Sequence, residues 1–273
     1  MTGSTPPPVY GERIVHHTDP LGRRHAVRVA GEGPPIIVIH ELAGISPMLL
    51  EFARRVRERG FTTHLPKLIT RGNGPARVLL AGWQVCISAE FTKLARGKTS
   101  PIVGWLRSYA ASVHADTGSD IGVVGMCLTG GFALAMAVDA HIVAPVVAHP
   151  SLPLGIGSAL QSDLGLSPSD LAAIKRRSDL TVKGVRFSCD FVAPERRFDR
   201  LQEELGDRFL RTDVPSGRGS RFGFSRWEHS VLNNDRIQPT NPNHDTARAE
   251  LERVVGDVLD FLEIRLGGQS SST

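Results

Sequence analysis

The chain has 273 residues, enough for one large or two small domains with a full-sized core. Its 28 Gly and 18 Pro are too few for a low-complexity chain, and 41 % hydrophobic against 22 % charged residues is an ordinary globular mixture. The net charge of +4 comes from basic residues scattered among acids, with few aromatics between them, which argues against nucleic acid as a partner.

The three cysteines, Cys86, Cys127 and Cys189, form no C-x-x-C pair, so neither a zinc site nor a thioredoxin-type motif is expected. An odd, low count fits a reducing compartment. The first residues have no basic n-region and no apolar h-region, so no secretory signal is expected. The longest apolar stretch, 132–145, is broken by Asp139 and His141 and is too short to span a bilayer. The expectation is a cytoplasmic protein without membrane contact, a monomer or small homo-oligomer.

Residues 1–10, with Pro6, Pro7 and Pro8, read as a flexible leader. The β-branched run 35–40 reads as a buried parallel strand. Residues 49–59 have helical apolar spacing, closed by Gly60, and 61–65 read as a second strand. Helices are expected over 75–96 and over 101–114, the latter opened by Pro101. A strand over 120–124, a helix over 130–138 and a strand over 142–148 follow. Next come a short helix over 168–175, a strand over 182–188, a helix over 194–205 and a late strand over 209–214. Residues 246–266 form the clearest helix, with Leu251, Val254, Val255, Val258, Leu259 and Leu262 on one stripe. Residues 267–273 read as a disordered tail. Alternating strands and helices without a linker predict one α/β domain over 11–266, a mostly parallel sheet flanked by helices.

Two apparent motifs fail. Residues 96–99 end like a phosphate-binding loop, but Thr92 stands where its first glycine is needed. Gly155-Ile156-Gly157 begins like a dinucleotide fingerprint, but Leu160 occupies the third glycine position. His16 and His17 lie in a polar stretch without a partner at metal spacing and read as solvated. No metal and no cofactor is expected.

One motif survives. The strand Ile121-Gly122-Val123-Val124 runs through Gly125-Met126-Cys127-Leu128-Thr129-Gly130-Gly131 into a small-residue helix. This is the pattern of a nucleophile elbow, with Cys127 at its apex. There the helix N-terminus favours a thiolate. The alternative is a buried cysteine acting as a small hydrophobe. An elbow nucleophile needs an acid and a histidine further along the chain. Asp190 closes a predicted strand, and His229 lies in a loop before the last helix. His244 is the other histidine beyond Asp190, in what reads as a helix-start turn. Cys86 and Cys189 read as buried packing residues.

With these residues in place the chain resembles the dienelactone hydrolases, a cysteine branch of the α/β-hydrolases. The elbow, the Asp190 segment, the His229-Ser230 pair and the strand ending at His40-Glu41 carry the resemblance, which runs over about 35–265. It implies an α/β-hydrolase fold and hydrolysis of a small-molecule ester or lactone without a cofactor. Cys127 would be the nucleophile, His229 the general base and acid, and Asp190 its orienter. The N–H groups of Leu42 and Leu128 would form the oxyanion hole. Glu41 would contact the resting thiol and help to form the thiolate, and Arg71 would receive a substrate carboxylate. Three departures stand out. Thr129 replaces the usual glycine two residues past the nucleophile, Lys67 replaces an aspartate, and Asn233 replaces a second carboxylate-binding arginine. The other reading is a non-hydrolytic α/β-hydrolase-like binding or sensing protein with a reactive cysteine. Acyl transfer to an acceptor other than water is a third.

Overall fold

The computed structural model describes residues 11–41, 44–68, 100–151, 158–232, 241 and 243–267. Among them eight strands form one sheet in the order β1-β2-β4-β3-β5-β6-β7-β8. The strands are β1 (Arg13–Thr18), β2 (Arg24–Ala30), β3 (Pro35–Ile39), β4 (Thr62–Pro66), β5 (Ile121–Met126), β6 (Ile142–Ala148), β7 (Val182–Phe187) and β8 (Phe209–Val214). β2 is antiparallel to both neighbours, and every pairing from β4 to β8 is parallel. The described helices are α1 (Pro47–Glu58), α2 (Pro101–Thr117), α3 (Gly130–Met136), α4 (Ser158–Gln161), α5 (Pro168–Arg176), α6 (Glu195–Leu205) and α7 (His244–Leu266).

The central strands are buried along their whole length. That is why β3, β5 and β6 read as unbroken apolar runs instead of alternating ones. One sheet face is covered by α1 and α7, through Phe52, Val56, Leu251, Val255 and Leu262. The other is covered by α2, α3 and α6, through Trp105, Leu106, Leu134, Phe198 and Leu201. Three helices open on a Ser-Pro pair. Ser46, Ser100 and Ser167 accept backbone N–H groups through their hydroxyls, and the following proline occupies the first turn, where no N–H is needed. No helix among the described residues is long and apolar enough to cross a membrane.

Three expectations change. β1 and β2 were not anticipated: β1 is the sheet edge and largely exposed, and the apolar residues of β2 are interrupted by Arg24, His25 and Arg28 although its second half is buried. His16 is exposed as expected, but His17 is not simply solvated. Its Nε2 lies 3.0 Å from Ser108 Oγ, and its ring packs against Trp105 and Tyr109. Cys189 is exposed, not a packing residue, because it stands two residues past the last buried residue of β7. Its thiol meets the carbonyl oxygen of Ser216 at 3.1 Å. The helix expected over 75–96, Cys86 and the two terminal segments read as leader and tail lie outside the described residues, apart from Gly267.

Candidate active site

Everything polar that matters here lies at the carboxyl ends of parallel strands, where an open α/β sheet places its crevice. Cys127 follows directly on β5 and has φ of 55°. Only a backbone held by its surroundings keeps a non-glycine residue there, at a cost of order 1–3 kcal/mol. The strain turns the chain from strand into helix within the short turn Cys127–Thr129. Close packing closes the turn from both sides. A Cβ on Gly125 would lie 2.2 Å from the carbonyl oxygen of Thr129, and one on Gly130 would lie 2.9 Å from Pro150 Cα.

Thr129 has a use that the resemblance did not suggest. Its hydroxyl accepts the Met126 N–H at 3.0 Å. It faces the carbonyl oxygens of Met126, Ile39 and His40 at 2.9, 3.2 and 3.3 Å. The hydroxyl thus ties the elbow to the end of β3, and the β-branched residue is accommodated by hydrogen bonding. The Leu128 N–H belongs to the first turn of this helical segment, where backbone donors lack an intrahelical acceptor.

Asp190 and His229 meet as expected. The Nδ1–H of His229 donates to Asp190 Oδ2 at 2.6 Å. Asp190 is buried, and its Oδ1 accepts the N–H groups of Val192 and Ala193 at 2.9 and 3.1 Å. The opposite ring nitrogen of His229, Nε2, is buried and has no hydrogen-bond partner. Cys127 is close enough to raise the proton affinity of His229. Its thiol also lies 3.4 Å from Ser151 Oγ. Burial pulls the pKa of His229 down, but the Asp190 hydrogen bond and the adjacent Cys127 outweigh it and raise it to about 10.

Glu41, just past β3, has its carboxylate in a second network. Oε1 lies 2.9 Å from His149 Nε2 and 3.1 Å from Ser230 Oγ. Burial raises its pKa, but these donors and the nearby histidines reverse that and hold it at about 2. Neighbouring His40 donates from Nδ1 to the Glu41 carbonyl oxygen at 2.7 Å and accepts the Leu68 N–H on Nε2 at 3.1 Å. Burial lowers the pKa of His40, in keeping with a neutral ring.

His149 and Ser151 were missed in the sequence. Both sit at the end of β6, as Cys127 sits at the end of β5, so a polar residue directly after a buried strand was the available signal. His244 opens α7, as expected for a helix-start residue. Leu42, Arg71 and Asn233 lie outside the described residues. Among the described residues no group of three or more His, Cys, Asp or Glu could hold a metal ion.

The sequence model of the dienelactone hydrolase family matches residues 23–262. No curated protein matches the sequence. Solved structures match in fold. The dienelactone hydrolase from Anabaena variabilis has 15 % identity and a TM-score of 0.58, covering 94 % of this chain and 99 % of that one. An α/β serine hydrolase without a lid from Xanthomonas campestris has 14 % identity and a TM-score of 0.55, covering 98 % and 100 %. A dienelactone hydrolase-like promiscuous phosphotriesterase from metagenomic libraries has 18 % identity and a TM-score of 0.57, covering 91 % and 97 %.

Proposed function

The chain belongs to the dienelactone hydrolase family, and on that footing we propose that it hydrolyses a carboxylic ester or lactone through an acyl-thioester on Cys127. The observation that carries the reading is the buried, unpartnered Nε2 of His229 beside a cysteine held at φ of 55° on a strand-to-helix turn. A nucleophile needs a base whose proton-accepting atom is free and whose other nitrogen is oriented. Asp190 supplies the orientation through its 2.6 Å bond to Nδ1.

The Cys127 thiolate attacks the substrate carbonyl carbon. The N–H groups of Leu128 and Leu42 hold the resulting oxyanion, a contribution worth several kcal/mol in sites of this kind. Protonated His229 gives its proton to the leaving alkoxide. It then takes a proton from water, which attacks the thioester and frees the acid and Cys127. Arg71 receives a substrate carboxylate, and Glu41 borders the same crevice. One domain over 11–266 carries the site, and a reducing cytoplasm keeps the thiol usable.

The test is a panel of esters and lactones with intact-mass detection of an acyl adduct on Cys127. Turnover should disappear in Cys127→Ala while the thermal midpoint of the protein is retained. Undiminished turnover in that variant would overturn the reading. A second reading, a binding or sensing protein with a reactive thiol, is favoured by the orientation of the Cys127 thiol toward Ser151. Rapid alkylation without turnover of any ester would support it.

A further inference from the structure

Two histidines, each tied to a carboxylate, stand edge to face in the crevice. The ring centroids of His149 and His229 lie 4.8 Å apart at 78°. His229 is bonded to Asp190, and His149 to Glu41. His149 is fully buried and has a left-handed φ of 37°, with its N–H donating to the Val185 carbonyl oxygen at 2.7 Å. An ionised carboxylate only accepts, so the proton of His149 sits on Nε2. Its Nδ1 is then a bare nitrogen, buried and without a partner. The Glu41 oxygen that takes this bond also faces the hydroxyl of Ser230, the residue next to His229. Glu41 thereby joins the ends of β3 and β6 to the loop that carries His229.

We propose that His149 is a positioning residue which, with Ser230, commits Glu41 to accepting hydrogen bonds, so that the Cys127 proton passes to His229 and not to Glu41. This rests on Cys127 being the nucleophile, and it departs from the part in thiolate formation that the resemblance implies for Glu41. In the step, the S–H bond of Cys127 breaks and an N–H bond forms at Nε2 of His229. A thiolate–imidazolium pair results and nothing is oxidised or reduced.

The physical reason is competition for one proton. Two donors on one carboxylate oxygen stabilise the anion and lower its proton affinity. His229 is in the opposite position, since Asp190 accepts from it and favours its charged form. Among the described groups facing Glu41 are His149, Ser230 and His229, with Asp190 bonded behind His229. Against the effect of burial, His149 and Ser230 hold Glu41 at about 2, and Asp190 with Cys127 holds His229 at about 10, so the proton goes to His229.

The rate of Cys127 alkylation by iodoacetamide, resolved by peptide mass and followed against pH, tests this on the full chain. His229→Gln should slow alkylation at pH 6.5 by about a hundredfold, the thiolate fraction of a thiol with an ordinary pKa near 8.5. Glu41→Gln should slow it by less than about tenfold. His149→Leu takes a donor from Glu41, so an ionisation should enter the acid limb, displaced upward by about one unit or more. His149→Gln, which keeps a donor, should restore the wild-type limb, and the double variant His149→Leu/Glu41→Gln should lack the new ionisation. Ser230→Ala should displace the limb in the same direction by less, and it carries the test if His149→Leu does not fold. A loss in Glu41→Gln as deep as in His229→Gln, or no displacement in the donor variants, would overturn the proposal. Alkylation needs no substrate, so a protein inactive on every ester would defeat the hydrolase reading and leave these outcomes readable.

Discussion

Asp190 uses its two oxygens for two purposes: Oδ2 accepts the Nδ1–H of His229, and Oδ1 accepts the N–H groups of Val192 and Ala193. The carboxylate therefore builds its own turn and orients the histidine at once. Asp190→Asn can keep the turn, because the amide oxygen can replace Oδ1. Its NH₂ then faces Nδ1 of His229 and selects the tautomer with the proton on Nε2. We expect the fold to persist with stability reduced below pH 10, where the charged pair no longer contributes, and a loss of about a thousandfold or more in kcat on whichever ester the panel identifies. A modest loss in steady-state kcat would count against orientation by Asp190.

The raised pKa of His229 has a consequence for stability. Its ordinary value is 6.5 and its folded value is about 10, so the folded state binds the proton more tightly. The stabilisation is complete below about 6.5 and is lost as pH rises through about 10. Urea unfolding from pH 6.5 to 10.5 should show stability falling across that window, with a shallower fall in His229→Gln. Equal slopes in the two proteins would contradict the pairing of His229 with Asp190 and Cys127.

The unexpected hydroxyl of Thr129 is testable by isosteres. Thr129→Val preserves shape but leaves the buried Met126 N–H without its acceptor. A buried donor left unpaired costs about 1–3 kcal/mol. Thr129→Ser keeps the hydroxyl and should lie within about 1 kcal/mol of wild type in urea unfolding. If Val and Ser are equivalent, the hydroxyl does not hold the elbow.

How much of this was readable in advance follows from burial. The strand Ile142–Ala148 was located to the residue, because an apolar run bounded by polar residues leaves little choice of its ends. β1 was missed because a largely exposed edge strand has no such run, and β2 because Arg24, His25 and Arg28 interrupt its apolar residues although its second half is buried. Cys127 could be singled out because elbow spacing is a local pattern, and Asp190 and His229, which the fold brings together, because they follow it in the order an elbow nucleophile needs. His149 was not, since its importance comes from a contact with Glu41, 108 residues away in sequence. Thr129 looked like a departure because its value lies in reaching the end of β3.

Two glycines separate steric need from conformational need. A Cβ on Gly125 would stand 2.2 Å from the Thr129 carbonyl oxygen and 3.0 Å from Ala133 Cβ. Backbone cannot yield there without opening the turn that presents Cys127. Gly118 caps α2 at φ of 67°, and a Cβ on it would meet nothing within 4 Å. Gly118→Ala should therefore cost only about 1 kcal/mol, the preference of alanine against a left-handed backbone. It should leave Cys127 alkylation unchanged. Gly125→Ala should cost more in urea unfolding and slow Cys127 alkylation, because the thiol moves away from His229 as the elbow opens. The decisive comparison is the alkylation rate at matched folded fraction. If Gly125→Ala alkylates like Gly118→Ala, closeness of the β5 end to the helix start is not what sets the reactivity of Cys127.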